Sequence, residues 1–181
     1  MFTTTTLAAL AAVALSACAS HMGAPAMSFS QASLPAAVQV PAGHQVAMET
    51  VGVGQITYEC RAKKDMAGHE WVFVGPDAKL MDRMGRAVGK YYGPPATWES
   101  NDGSKLTGAQ VAVAPAAAGS IPLQLVKANP AMGMGAMQGV TYIQRVATQG
   151  GVAPAMPCDG SKAGMKQIVN YQADYILWKA A

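Results

Sequence analysis

Apolar residues recur at every second position through much of the chain, and this spacing constrains the fold more than any other feature. The clearest case is the last segment before the C-terminus, in which one face is formed by Val169, Tyr171, Ala173, Tyr175 and Leu177. A period of two residues is typical of a β-strand with one buried face, whereas an amphipathic helix repeats every 3.6 residues. We therefore expect strands around a common core.

Glycine and proline interrupt these runs at intervals of roughly 8–15 residues, close to the spacing of turns in all-β folds. Examples are Gly75-Pro76, Gly93-Pro94-Pro95 and Gly150-Gly151. The spacing predicts an all-β domain, either an antiparallel β-sandwich or a partly open barrel with long loops. Residues 77–90 leave room for one helical turn at most.

The N-terminus resembles an export signal of the lipoprotein type. An apolar run ends in Leu15-Ser16-Ala17-Cys18, which predicts cleavage after residue 17 and acylation of Cys18. The run is about half the ~20 residues that a membrane-spanning helix needs. Because the first basic residue is Arg61, an ordinary cleaved signal or an uncleaved apolar tail stays open.

Three parts follow from this reading: a signal peptide at 1–17, the lipidated Cys18 with a flexible tether at 18–43, and one β domain at 44–181. Ala, Pro, Gly and Ser dominate the tether, which lacks charged residues, and such a composition buries too little apolar surface to fold. Ala19 stands where an inner-membrane retention signal places Asp. The predicted location is the outer membrane, facing the periplasm or the surface.

The charge balance excludes nucleic acid as a partner. Thirteen basic and ten acidic residues give a net charge of +3, and the densest basic run, Arg61 to Lys64, is too short to follow a phosphate backbone. The expected partners are the membrane, through the N-terminal lipid, and an unknown ligand or protein of the envelope.

Two cysteines remain once Cys18 carries lipid. In an exported chain, Cys60 and Cys158 are most simply read as a disulfide. A redox-active thiol or a metal site is the alternative, although neither cysteine lies in a Cys-x-x-Cys motif or has a histidine within three residues.

Trp98, Glu99 and Asp102 place an aromatic ring beside two carboxylates, as in many sugar-binding or sugar-cleaving sites. Glu99 and Asp102 are therefore the candidate catalytic residues, and Trp98 is a candidate ligand contact. The alternative is structural: residues 101–104 read Asn-Asp-Gly-Ser, which is typical of a turn, and Trp98 is then a core residue.

Arg145 lies on the same face as Ile143, so we expect it to be partly buried and therefore paired. Asp174 on the last strand is the favoured partner, with Asp102 or carbonyl groups near Gly150 as alternatives. If Arg145 instead lines a cleft, Arg145 and Asp174 become candidates for binding an anionic ligand.

Metal binding is the weakest of the candidate chemistries. Met132, Met134 and Met137 carry thioethers that would suit Cu(I) in an oxidising compartment if their sulfurs converged. The alternative is an adaptable, methionine-rich loop. His69 is not followed by a second histidine at metal-binding spacing, so we predict neither a metal nor a cofactor.

Several short motifs together resemble the exported family known as domain of unknown function 3455, over about residues 47–177. They are Tyr58-x-Cys60, Gly93-Pro94 before Trp98, Asp102-Gly103-Ser104, Tyr142 to Val146, Thr148-x-Gly150-Gly151-x-x-Pro154, Cys158, and Tyr171-x-Ala173-Asp174-Tyr175.

The resemblance implies a secreted bacterial or fungal protein and matches Cys60 and Cys158 to the family's two cysteines. It implies no activity. The family pattern often has a histidine just before the Gly-Pro, where this chain has Tyr91 and Tyr92, so a histidine-based reaction is not expected. We predict a lipid-anchored binding or structural module, and the alternative is a carbohydrate-active hydrolase or lyase using the carboxylates near Trp98.

Overall fold

The computed structural model describes Met1 and residues 29–181. The signal peptide and Cys18 lie outside these residues. Eight strands follow in order: β1 (His44–Ala62), β2 (His69–Met81), β3 (Ala87–Tyr92), β4 (Thr97–Ser100), β5 (Lys105–Ala114), β6 (Leu123–Ala128), β7 (Val140–Gly150) and β8 (Lys166–Ala180). The helical secondary structure of the described residues consists of two 3-10 turns, Ala36–Val38 and Gly160–Lys162. The room for a helical turn at 77–90 is taken by β2, β3 and their connection.

Each strand pairs antiparallel with the next, and β8 pairs with β1, so a single sheet closes on itself. This confirms the all-β prediction. Bulges interrupt several of the ladders, including β1–β2 between Thr57 and Tyr58. Because consecutive strands are neighbours, the connections alternate between the two ends of the barrel, so that the β1–β2, β3–β4, β5–β6 and β7–β8 connections share one end.

The barrel interior is filled by the inward face of each strand. The predicted face of β8 is confirmed, since Tyr171, Ala173, Tyr175 and Leu177 are all buried there. Gly52 of β1 makes room for Tyr175: a Cβ atom at Gly52 would lie 2.5 Å from the Tyr175 ring. This close approach is what a glycine in a strand interior often marks.

A second apolar cluster lies on the outer face of the sheet and is covered by residues 29–40. Val38 and Val40 of this segment are buried against Leu125, Ile176 and Trp178. Residues 29–43 therefore do not form the free tether that the sequence predicts. Their composition is low in charge, but their few large apolar side chains meet an apolar patch that exists only once the barrel has formed.

The disulfide prediction is confirmed. Cys60 at the end of β1 is bonded to Cys158 in the β7–β8 connection, with 98 residues between them in sequence and 5.6 Å between the Cα atoms. Cys60 is fully buried, as its place on the face of Ile56 and Tyr58 predicts.

Within the described part of the chain, no helix is long and apolar enough to cross a membrane.

Candidate functional site

One end of the barrel contains a partly enclosed cavity of about 250 Å³. It lies beside the β3–β4 turn and is bordered by β2, β5, β6 and β7. Its lining is formed by Phe73, Pro76, Tyr91, Gly93, Pro94, Ala96, Trp98, Gly108, Gln110, Gln124, Val126 and Arg145. Phe73 and Pro94 are exposed at the rim, so the cavity is open to solvent. About half of the surface of Phe73 is exposed (51%).

Stacked aromatic rings form the deep wall of the cavity. Trp98 of β4 and Tyr91 of β3 are directly paired across the two strands, and their rings stack with centroids 4.6 Å apart. The ring of Tyr175 lies 4.9 Å from that of Tyr91. These contacts fix the indole of Trp98, since stacked aromatic pairs add to the stabilisation from burial alone.

The indole N–H of Trp98 has no hydrogen-bond acceptor, and it is the one such buried side-chain nitrogen or oxygen found in residues 29–181. A buried donor without a partner costs about 1–3 kcal/mol. Such groups are uncommon in folded proteins and call for an explanation, for example an acceptor supplied by a ligand or a water.

Arg145 reaches the cavity from β7, on the same inward face as Ile143. Its Nε and Nη2 atoms donate to the Pro122 carbonyl at 3.2 and 2.9 Å. In the described part of the chain, no carboxylate oxygen lies within 4.0 Å of its guanidinium. The prediction that Arg145 is partly buried is confirmed.

The favoured pairing of Arg145 with Asp174 is wrong. Asp174 lies opposite Val146 in the β7–β8 register and, like Val146, faces outward, where it forms a 2.8 Å ion pair with Arg83. Adjacent residues of a strand point to opposite faces, so Arg145 and the outward-facing Asp174 are on different sides of the sheet. Asp174 is therefore not part of the cavity.

Tyrosine hydroxyl groups lie near Arg145 inside the barrel. The hydroxyls of Tyr171 and Tyr175 are 3.2 Å apart. Burial raises the pKa of Tyr91, Tyr171 and Tyr175, and the positive charge of Arg145 acts in the opposite direction on each. All three stay protonated near neutral pH and act as neutral hydrogen-bonding groups.

The sequence places Tyr171 and Tyr175 on the inward face of the last strand, but it connects neither of them, nor Tyr91, with a site. The available signal was their position on the inward face of a strand together with an inward-facing arginine.

A larger depression of about 680 Å³ runs across the outside of β1, β2 and β8. Most of the side chains around it are exposed, among them Gln55, Asp77 and Lys79. It is a shallow surface groove, whereas the end cavity combines enclosure, aromatic walls and convergent polar groups, the usual features of a small-molecule site.

Glu99 and Asp102 do not join Trp98 in one site. Glu99 is on the outer face of β4, opposite to Trp98, where it accepts a hydrogen bond from Tyr92 (2.7 Å) and pairs with Lys90 (3.2 Å). The hydrogen bond from Tyr92, followed by the interaction with Lys90, lowers the pKa of Glu99.

Asp102 lies in the β4–β5 turn that the sequence predicts. It accepts hydrogen bonds from the Ser104 amide (2.9 Å), the Ser104 hydroxyl (2.5 Å) and the Ala136 amide (2.8 Å). The Ser104 hydroxyl, followed by the two amides, lowers its pKa to about 2. Both carboxyl groups therefore stay ionised at neutral pH, which is the opposite of what a general acid requires.

The three methionines do not converge. Met137 is buried in the barrel core, whereas Met134 is 85% exposed and Met132 is also exposed. Among the residues that the structure describes, no group of three or more His, Cys, Asp or Glu side chains could hold a metal ion.

The closed antiparallel sheet, the disulfide and the cavity together define a small disulfide-bonded β-barrel domain with a partly enclosed cavity near one end. The chain belongs to the family described as protein of unknown function (DUF3455), which matches residues 41–179. No curated protein and no solved structure matches the chain.

Proposed function

We propose that this protein is a lipid-anchored binding module of the cell envelope that takes a small molecule into the cavity at the end of its barrel. One observation carries the proposal: a partly enclosed cavity with aromatic walls is lined by Arg145, whose guanidinium has no carboxylate partner within the described residues, and by Trp98, whose buried indole N–H has no acceptor. The guanidinium is a donor that faces the cavity, and a bound acceptor would pair with it.

Binding is favoured over hydrolysis because the candidate carboxylates have structural roles. Glu99 forms an ion pair on the barrel surface, and Asp102 accepts hydrogen bonds that stabilise a turn. Their lowered pKa values leave no proton donor of the kind that glycoside cleavage uses. The aromatic ring that would hold a sugar beside them, Trp98, faces the other side of the strand.

Export is supported by the disulfide, since such bonds persist in oxidising compartments such as the periplasm. The anchor at Cys18 rests on the sequence motif, and the domain would then be displayed from a membrane surface.

A cavity-filling substitution tests the binding proposal. Gln110 is an exposed residue of β5 that lines the cavity, so Gln110→Trp would fill its mouth without changing a buried position. Ala109→Trp is the matched control, because the neighbouring Ala109 is exposed on the opposite face of the same strand and does not line the cavity. The probes are benzoate, benzamide and benzyl alcohol at millimolar concentration, followed by ligand-observed NMR.

We expect at least one probe to bind the wild type and Ala109→Trp, and to lose at least about 90% of its signal with Gln110→Trp, because a ring in the mouth excludes the ligand. Unchanged binding to Gln110→Trp, or no binding of any probe to the wild type, would contradict the proposal.

A further inference from the structure

We infer that Arg145 makes the cavity selective for a small organic monoanion, a carboxylate attached to one apolar ring. The inference rests on the proposed binding function and specifies the class of ligand.

The charges around the cavity favour an anion. Among its lining residues Arg145 is the one ionised side chain, and no Asp or Glu is present. The carboxylate expected to neutralise Arg145, on Asp174, is on the outer face and is already paired with Arg83. An anion entering the cavity therefore meets a half-buried positive charge with no competing carboxylate, in surroundings where charged hydrogen bonds are stronger than in water.

The geometry of the guanidinium favours a carboxylate. An arginine has five N–H donors, and the Pro122 carbonyl accepts from Nε and from Nη2. This contact fixes the orientation of the guanidinium plane. The end of the fork, with N–H groups on both Nη1 and Nη2, remains available for a bidentate pair with two oxygens of one carboxylate.

The amount of charge selects a monoanion. A single guanidinium neutralises one negative charge, whereas a phosphate dianion would bring a second charge into a lining that has no other cation. The amides of Gln110 and Gln124, which also line the cavity, are neutral and are hydrogen-bonded to each other (2.7 Å).

The walls and the volume select the rest of the ligand. Phe73, Tyr91 and Trp98 offer aromatic surface to a flat apolar group. The cavity, at about 250 Å³, is smaller than the ~300–1,000 Å³ typical of sites for drug-sized molecules. One ring or a short chain is therefore the size of group that fits.

The test compares ligands that differ in charge but not in shape. Full-length protein, purified from membranes, is titrated calorimetrically with benzoate, with its neutral analogue benzamide and with the dianion phenyl phosphate. The variants are Arg145→Met, Arg145→Lys and the charge-matched control Arg86→Met. Arg86 is exposed in the β2–β3 connection at the opposite end of the barrel, where it pairs with Asp82. Thermal melting of each variant confirms that it is folded.

We expect benzoate to bind the wild type and Arg86→Met at least about 10-fold more tightly than benzamide or phenyl phosphate, the factor that a charged hydrogen-bonded pair provides. In Arg145→Met this preference should fall below about 3-fold. Arg145→Lys should keep part of it, because it retains the charge but loses the fork.

The outcomes separate this inference from the function on which it rests. If benzamide binds the wild type as tightly as benzoate and Gln110→Trp blocks both, the cavity binds ligands but the preference for anions is wrong. If benzoate preference survives in a folded Arg145→Met, the role given to Arg145 is wrong. If none of the probes binds the wild type, both proposals are overturned. The comparison within the wild type decides the question even if the Arg145 variants do not fold.

Discussion

Asp102 joins two loops that are far apart in the chain. Its Oδ1 atom accepts from the amide and the hydroxyl of Ser104 in its own turn, and its Oδ2 atom accepts from the Ala136 amide in the β6–β7 connection. Gly135 is required beside it, because a Cβ atom there would lie 2.4 Å from Oδ2. The residue read from the sequence as a candidate catalytic carboxylate is thus a structural link at the end of the barrel opposite the β3–β4 turn.

The lowered pKa of Asp102 makes this link pH-dependent. Its pKa is about 2 in the folded protein against 3.8 ordinarily. A carboxyl group with a lowered pKa stabilises the fold fully above the unfolded-state pKa and loses that contribution as the pH falls through the folded-state pKa. We therefore expect Asp102→Asn to lower the free energy of unfolding at pH 7, and the difference from wild type to shrink between about pH 4 and pH 2.

Urea unfolding at pH 7, 5, 3 and 2 measures this difference. Asp65→Asn is the control, since Asp65 is an exposed residue of the β1–β2 connection with no hydrogen-bonded side chain in the structure. A difference between wild type and Asp102→Asn that is the same at pH 7 and pH 2 would contradict the role of the ionised carboxylate.

For single residues, the sequence predicts which side chains face inward more reliably than it predicts their contacts. Arg145 and Trp98 are where their strand positions place them, because alternation follows from backbone geometry. Their partners depend on which strands become neighbours in the ring, and this cannot be read from a single strand. The outward face of Asp174 could be read, because Asp174 alternates with the inward-facing Ala173 and Tyr175, and it already argued against a pair with Arg145.

Among the elements, the N-terminal segment 29–40 is held to the barrel by a buried glutamine. Gln144 of β7 donates to the Val38 carbonyl (2.7 Å) and to Gln31 (2.9 Å), and its carbonyl accepts from Trp178 Nε1 (2.9 Å). All polar groups of this buried amide are engaged, so it fixes the register of the segment on the sheet while Val38 and Val40 supply the apolar contact.

We predict that Val38→Asp detaches this segment without unfolding the barrel. A carboxylate at this fully buried position would have to lose its hydration without a cationic partner, which costs more than exposing the segment. The cluster on the outer face would then become accessible. Hydrogen exchange should show lost protection in residues 29–40 and retained protection in β1 and β8, the strands with the most extensive pairing.

Ala37→Asp is the matched control, because the neighbouring Ala37 is exposed and a charge there stays in water. Its exchange pattern should equal that of the wild type. Full protection of residues 29–40 in Val38→Asp would show that the segment is held by something other than the burial of this side chain.

The sequence contained a sign of this covering segment, at the end of β8. Residues 175–178 read Tyr-Ile-Leu-Trp, apolar on both faces, and the structure buries all four. Two-sided burial requires a cover on the outer face. Because apolar and polar residues alternate earlier in β8, the strand as a whole reads as buried on one face only. The low charge of the covering residues is typical of a tether.

At the scale of the whole molecule, closure of the sheet joins the two ends of the folded domain. His44 at the start of β1 pairs with Ala180 at the end of β8. Turn spacing predicts the number and direction of strands, but the pairing of the first strand with the last is a long-range contact that no local pattern encodes. A sandwich and a barrel are therefore equally compatible with the sequence, and the end cavity exists only in the closed form.

Attachment through Cys18 would determine how the whole domain is held at a membrane. Residues 29–40 pack on the barrel and ten residues separate Phe29 from Cys18 in sequence, and a fully extended chain of that length reaches roughly 35 Å. The domain would thus lie closer to the membrane than a tether through Gly43 allows.

We expect Cys18 to be acylated, so that radiolabelled palmitate is incorporated into the wild type and the protein partitions into detergent and sediments with outer membranes. Cys18→Ala should lose the label and become soluble after cell disruption. Cys158→Ala, which removes a different cysteine, should keep the label. Label that survives in Cys18→Ala, or a wild type that never incorporates it, would leave the protein exported but unanchored.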